Sequence, residues 1–286
     1  MLEFRAEGET MKIAVLSGKG GTGKTTVAAS LALVIPGSQY IDCDVEEPNG
    51  FLFLKPEIKE SANVTVLVPE VDQDLCALCG VCAKICQFNA IAVTKKRVLV
   101  FPELCHHCGA CSLACQPYAI SEIKRTIGVI ESDAGNRFIQ GRLIIGEPVG
   151  VPIITALKKR INPNRTAILD CSPGASCAVV RSIEGCDYAL LVTEPTPFGL
   201  HDLKIAAGLV KKMGIRAGVV LNKAGSNDQL ILDYCNQEDL PVLLEIPYSR
   251  LIAENYAKGI LPADINSGWK DQFSTLHWRI GQEVIS

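Results

Sequence analysis

Residues 17–26 read Ser17-Gly18-Lys19-Gly20-Gly21-Thr22-Gly23-Lys24-Thr25-Thr26. Gly18 to Thr25 fit the phosphate-loop pattern of glycine, four residues, glycine, lysine and a hydroxyl residue. They lie between an apolar run at Lys12 to Leu16 and a helix-compatible run at Val27 to Val34. Strand, loop and helix in that order are the context in which the pattern carries chemistry. Gly18, Gly20, Gly21 and Gly23 let successive backbone N–H groups around Thr22 turn inward on phosphate oxygens, and the helix N-terminus adds its positive dipole end. Lys24 is placed to reach the β- and γ-phosphates and Thr25 to ligate magnesium, with Thr26 lining the same loop. Lys19 is surplus to that task. A lysine so early in a loop wrapped around one nucleotide points away from the loop's own phosphates, and its expected use is on a nucleotide held by a facing subunit.

The second informative feature is a pair of cysteine runs. Cys76, Cys79, Cys82 and Cys86 follow the spacing Cys-x2-Cys-x2-Cys-x3-Cys, and Cys105, Cys108, Cys111 and Cys115 repeat it. Bacterial two-cluster ferredoxins use this run, and in them the fourth cysteine of each run ligates the other cluster. By that rule Cys76, Cys79, Cys82 and Cys115 hold one 4Fe-4S cluster, and Cys105, Cys108, Cys111 and Cys86 hold a second. Zinc is the alternative, since Cys-x2-Cys pairs also build tetrahedral sites, but a third cysteine at another two-residue step is not zinc-pair spacing. Disulfides are disfavoured in the reducing cytosol expected for a phosphate-loop protein. The proline that usually follows the fourth cysteine is replaced by Gln87 in the first run and arrives one place late, as Pro117, in the second.

A chain of 286 residues with 48% hydrophobic content can bury a proper core, and a net charge of -3 gives no nucleic-acid footprint. No stretch is long and apolar enough to read as a membrane span. A cytoplasmic protein is expected. Residues 1 to 10 precede Met11, which opens the first strand, and read as a leader, a displaced start or added sequence. Short apolar, β-branched runs recur at Lys12 to Ser17, Gln39 to Asp42, Val64 to Val68, Ala167 to Asp170, Tyr188 to Thr193, Ala217 to Asn222 and Val242 to Ile246. Such runs suit strands buried on both faces of a parallel sheet, and the expected class is doubly wound α/β. The cysteine runs fall between the third and fourth strands. The expected organisation is an ATPase domain in two parts, 1–71 and 124–286, around an inserted ferredoxin-like domain at 72–123. Thr126 to Ile145, with Asp133-Ala-Gly-Asn136 at its centre, reads as a β-hairpin.

Other site residues follow from strand ends. Asp170 closes an apolar run beside the loop, where a carboxylate orders the magnesium shell. Asp42 and Asp44 end the second strand in the same crevice; Asp44 is the candidate for orienting the attacking water, with Asn49 available to respond to the γ-phosphate. Asn222 and Lys223 end the sixth strand, where a side-chain amide can read an adenine edge.

The stretches KGGTGKTT, IDCDVEEPN, ILDCSPGASC and VVLNK, with the two cysteine runs, make residues 11 to about 265 resemble the MinD/Mrp-type ATPases of the deviant Walker-A group, in particular members with an inserted ferredoxin domain. The resemblance implies an ATP-dependent homodimer in which Lys19 crosses the interface and hydrolysis reshapes the segments around Asp44 and Asp170. It implies ATP, magnesium and two 4Fe-4S clusters as cofactors. Two functions compete. One couples hydrolysis to electron transfer or metallocluster maturation of an acceptor protein; the other is a positioning or assembly switch whose clusters are structural or sense oxidants.

Cys177 stands seven residues after Asp170, an offset shared with the nitrogenase iron protein, but a lone cysteine is more often a small buried hydrophobe. At the C-terminus Trp269, Phe273, Leu276, Ile280 and Val284 share a helical face, and Lys270 and Arg279 are balanced by Asp271 and Glu283. Packing on the chain's own domain is expected there, not a membrane anchor.

Overall fold

The structure, a computed structural model, describes residues 10–285, so nearly all of the segment 1–10, read above as a leader, a displaced start or added sequence, lies outside the described residues. Among the described residues there are eleven strands: β1 (Lys12–Leu16), β2 (Gln39–Asp42), β3 (Ile58–Val71), β4 (Ile91–Val93), β5 (Val98–Val100), β6 (Ile120–Asp133), β7 (Phe138–Leu143), β8 (Ala167–Asp170), β9 (Tyr188–Thr193), β10 (Arg216–Ala224) and β11 (Val242–Pro247). Nine form one sheet in the order β11-β10-β9-β1-β8-β2-β7-β6-β3, and β4 and β5 form a separate hairpin. The pairings from β11 across to β7 are all parallel. Central β1, with β8 and β9 on either side, opens a crevice at its carboxyl end, where ligands bind in open α/β sheets.

Both faces of this sheet are covered. Ile13 and Val15 of β1 join one buried cluster and Ala14 and Leu16 the other. The first face carries the helices Lys24–Val34 and Ser267–Ile285, the latter burying Phe273, Leu276 and Ile280. Each such side chain contributes about 1.5–3 kcal/mol of burial, so the C-terminal helix is a structural layer. Among the described residues no helix is long and apolar enough to cross a membrane.

Two expectations for the sheet need correction. The third apolar run is not a short strand of the parallel core: β3 is 14 residues long, pairs only with β6, antiparallel, and forms the sheet's edge. Its Val64, Val66 and Val68 point inward while Thr65 and Leu67 are exposed. The hairpin is present as β6 and β7, but β7 also pairs parallel with β2 and so belongs to the core.

Residues 72–119 lie between β3 and β6 and hold the β4–β5 hairpin and two short helices, Val81–Ile85 and Ala110–Leu113. The cysteine repeat extends to the backbone. Leu78 and Gly80 take positive φ of 53° and 77°, and His107 and Gly109, at the same places in the second run, take 59° and 71°. Asn89 and Tyr118, each three residues past a fourth cysteine, do the same at 54° and 55°. Non-glycine residues seldom adopt this region, and they cluster at ligand clamps.

Candidate nucleotide site and cysteine cavities

The loop Ser17–Gly23 joins β1 to the helix Lys24–Val34. Gly23 has φ 98°, and a Cβ there would come within 2.3 Å of the Asn222 amide nitrogen. That nitrogen donates to the Thr22 carbonyl at 2.7 Å, while the Asn222 oxygen accepts from the Lys223 backbone N–H. The amide expected to read an adenine edge is therefore engaged in bracing the loop. Lys223 Nζ donates to the Gly21 carbonyl at 3.3 Å and to Glu194 at 2.9 Å.

Glu194, immediately after β9, also receives Lys19 Nζ at 2.5 Å. Burial alone would raise this carboxyl, but the two lysines hold it below its ordinary pKa. Sequence reasoning passed over Glu194, although a carboxylate at the end of a strand beside β1 was the signal that found Asp170.

Lys24 and Thr25 are buried beneath the loop, and Asp170 is buried beside them at the end of β8. Tyr40 Oη donates to Asp170 Oδ2 at 2.7 Å, and Tyr40 stacks on Phe138 with ring centroids 5.6 Å apart. Asp170 Oδ1 is buried with no hydrogen-bond partner. Burial raises the Asp170 pKa, against the charge of Lys24 and the hydroxyls of Thr25 and Tyr40. Asp42, its register partner on β2, is fully buried and raised further, by burial and by Asp170. Its carboxylate accepts the backbone N–H groups of Asp44, Asn49 and Gly50 at 3.0–3.1 Å. Asp42 thus folds the segment 44–50, and half-buried Asp44 faces the crevice from it. Burial lifts Asp44 to about 6, opposed by Lys24 and Ser172.

An orphaned carboxylate oxygen beside a buried lysine and threonine is a donor set suited to a hard divalent cation, which takes one or two carboxylates and keeps several waters. Thr25 and Asp170 fit magnesium on that ground.

The cysteines gather in two cavities. Cys76, Cys79, Cys82 and Cys115 line one, with apolar Val71, Val98 and Ile120. Cys86, Cys105, Cys108 and Cys111 line the other, with Leu67, Phe88 and Ala90. Each cavity therefore draws its fourth cysteine from the other run. Phe88 stacks on His106 at 3.7 Å between centroids beside the second cavity. Among the described residues no three His, Cys, Asp or Glu side chains converge as ligands of one metal ion. Cys43, Cys171, Cys186 and Cys235 are buried, whereas Cys177 is exposed at the start of the helix Cys177–Ile183, so the buried-hydrophobe expectation for it is wrong.

Fold and loop together define a phosphate-loop nucleotide-binding protein with a second lysine in its loop. The sequence model of the family described as the CobQ/CobB/MinD/ParA nucleotide binding domain matches residues 13–263, and the chain belongs to that family. An uncharacterized protein of Methanocaldococcus jannaschii is 32% identical over 285 residues, covering 97% of this chain and 99% of the relative. The cell division ATPase MinD of Pyrococcus furiosus superposes with a TM-score of 0.55 at 22% identity, over 96% of this chain and 99% of its own. The septum site-determining protein MinD of Pyrococcus horikoshii, complexed with Mg-ADP, gives 0.55 at 21% identity, over 95% and 96%. At these identities the likeness is one of fold.

Proposed function

We propose that this chain is a cytoplasmic ATP-hydrolysing switch of the MinD/ParA kind, dimeric when ATP is bound, that carries two 4Fe-4S clusters as redox-sensing elements. Magnesium, when bound by Thr25 and Asp170, supplies charge neutralisation at the β- and γ-phosphates. Lys24 holds those phosphates, Asp44 accepts a hydrogen bond from the attacking water, and Lys19 serves the facing subunit's nucleotide. Because phosphoryl transfer is catalysed mainly by positioning and charge, these residues suffice for hydrolysis without a covalent intermediate. The orphaned Asp170 oxygen beside Lys24 and Thr25 is the observation that carries the nucleotide half of this reading.

The cross-paired cavities support the cluster half. Cysteines of a four-iron cluster each bind a different iron, so they stand farther apart than ligands of a single ion, consistent with four cysteines around a space and no single-ion site. A second reading, electron delivery to an acceptor or maturation of its metallocluster, draws support from Cys79 and Cys108, which line the two cavities and are exposed. Anaerobically isolated protein tests the cluster half: about eight irons per chain are expected, and zinc, or no metal, would sink it. Partner capture with ATP and with ADP separates the two functions. A switch retains its partner only with ATP, whereas an electron donor reduces its acceptor stoichiometrically.

A further inference from the structure

The two cavities differ in how they meet the nucleotide-binding core. The second packs on it: Cys105 joins the buried cluster that contains Val64, Val66 and Ile127, and Cys86 rests against that cluster. Beside it stands Arg125 of β6, whose Nη2 meets Glu147 Oε1 at 2.6 Å and, at 3.8 Å, Glu103, two residues before Cys105. Glu147 is almost wholly buried, with 4% of its side chain exposed. Arg125 Nη1 and Glu147 Oε2 are both buried without a hydrogen-bond partner.

Glu147 belongs to the turn between β7 and the helix Val151–Lys158, and that turn is fastened at both ends to the segment that carries Asp44. The Leu143 N–H donates to the Val45 carbonyl at 2.8 Å. A Cβ on Gly150 would come within 2.6 Å of Val45 Cγ2. A shift of the 44–50 segment therefore displaces Glu147, and a shift of Glu147 changes how far the Arg125 charge is neutralised. The structure holds a continuous chain of contacts from the Asp44 segment through Val45, the turn 143–150, Glu147 and Arg125 to Glu103, two residues before the cavity-lining Cys105.

We propose that Arg125 and Glu147 form the joint through which nucleotide state sets the reduction potential of the cluster held by Cys86, Cys105, Cys108 and Cys111. The proposal rests on the two-cluster reading above. Reduction adds one electron, and so one negative charge, to the cluster; a low-potential one-electron donor such as dithionite supplies it. An unneutralised guanidinium favours the more negative form and raises the potential, while Glu147 drawn close to Arg125 lowers it. Linkage makes the effect reciprocal: the factor by which nucleotide shifts cluster reduction is the factor by which reduction shifts nucleotide affinity.

The experiment is a redox titration of the anaerobic full-length protein followed by electron paramagnetic resonance, with ADP and with a non-hydrolysable ATP analogue. Wild type, Arg125→Gln and Glu147→Gln are compared, with iron content measured for each. The wild type is expected to show one cluster whose reduction equilibrium changes at least about fivefold between nucleotides, a tenfold change being about 59 mV for one electron. Arg125→Gln lowers that cluster's potential, Glu147→Gln raises it, and both abolish its dependence on nucleotide while the other cluster is unmoved. Variants that move the potential in the same direction, or that keep the wild-type nucleotide shift, overturn the proposal. Wild-type protein without iron fails earlier, at the two-cluster reading, and the iron measurement distinguishes that case.

Discussion

Lys19 and Glu194 form an ion pair within one chain, 2.5 Å from Nζ to Oε1, and Lys223 occupies the other oxygen of the same carboxylate at 2.9 Å. The lysine that the loop does not need for its own phosphates is held against its own sheet. It must leave Glu194 to act on a facing subunit.

Lys19→Ala is therefore expected to lower ATP turnover by about tenfold or more, 1.4 kcal/mol in barrier, with nucleotide affinity nearly unchanged. Lys24→Ala should weaken phosphate binding directly. Glu194→Gln should lower the ATP concentration needed for dimer formation, and the gain should vanish in the double variant with Lys19→Ala. Turnover, equilibrium binding and light scattering check the three; Lys19→Ala enzyme running at the wild-type rate would exclude the role across the interface.

Tyr40→Phe keeps the stacking on Phe138 but removes the donor to Asp170 Oδ2. A buried hydrogen bond to a charged group is worth about 1.5–3 kcal/mol, and a loss of that order is expected in urea unfolding. Magnesium should restore part of it by ligating the buried carboxylate that has lost this donor.

Asp44 gives a pH signature. As water-orienting base it must be ionised, so kcat/KM for ATP should fall as pH drops through about 6, its raised pKa, and Asp44→Asn should remove that acid limb along with most of the activity. Stability has the opposite sign. A carboxyl whose folded pKa lies above its unfolded value of 3.8 binds its proton more tightly in the native state. Its contribution therefore declines as pH climbs from about 4 to about 6 and stays low above.

The cavity linings give a cross-ligation test. Cys115→Ser should impair the cluster of the first run and Cys86→Ser that of the second, each leaving about four irons and one paramagnetic signal. Loss of the cluster belonging to the variant's own run instead would mean that the runs do not exchange their fourth cysteines.

Features carried by a few consecutive residues were legible in the sequence: the loop, the strand ends at Asp42 and Asp170, and the cysteine spacing. Features that depend on strand order were not. Tyr40 meets Asp170 only because β2 lies next to β8, and Arg125 meets Glu147 only because β6 and β7 fold back together. The run Val64 to Val68 misled for a different reason. Leu67 is apolar yet 46% exposed, so a strand alternating between core and solvent looked continuously buried. Cys177 could not be placed from sequence, because exposure at a helix start is decided by what packs above it.

The outer edge of β3 has a consequence for life at high concentration. A 14-residue strand that pairs on one side only presents a row of backbone donors and acceptors to any passing strand, including β3 of another copy. Its own sequence blunts that hazard. Pro69 removes a donor, Lys59, Glu60 and Glu70 place charge along the strand, and register shifts beside Glu60 and between Val64 and Thr65 interrupt its regular spacing. The ribbon that joins the cysteine cavities to the sheet can therefore stay long and uncovered without becoming a template for aggregation.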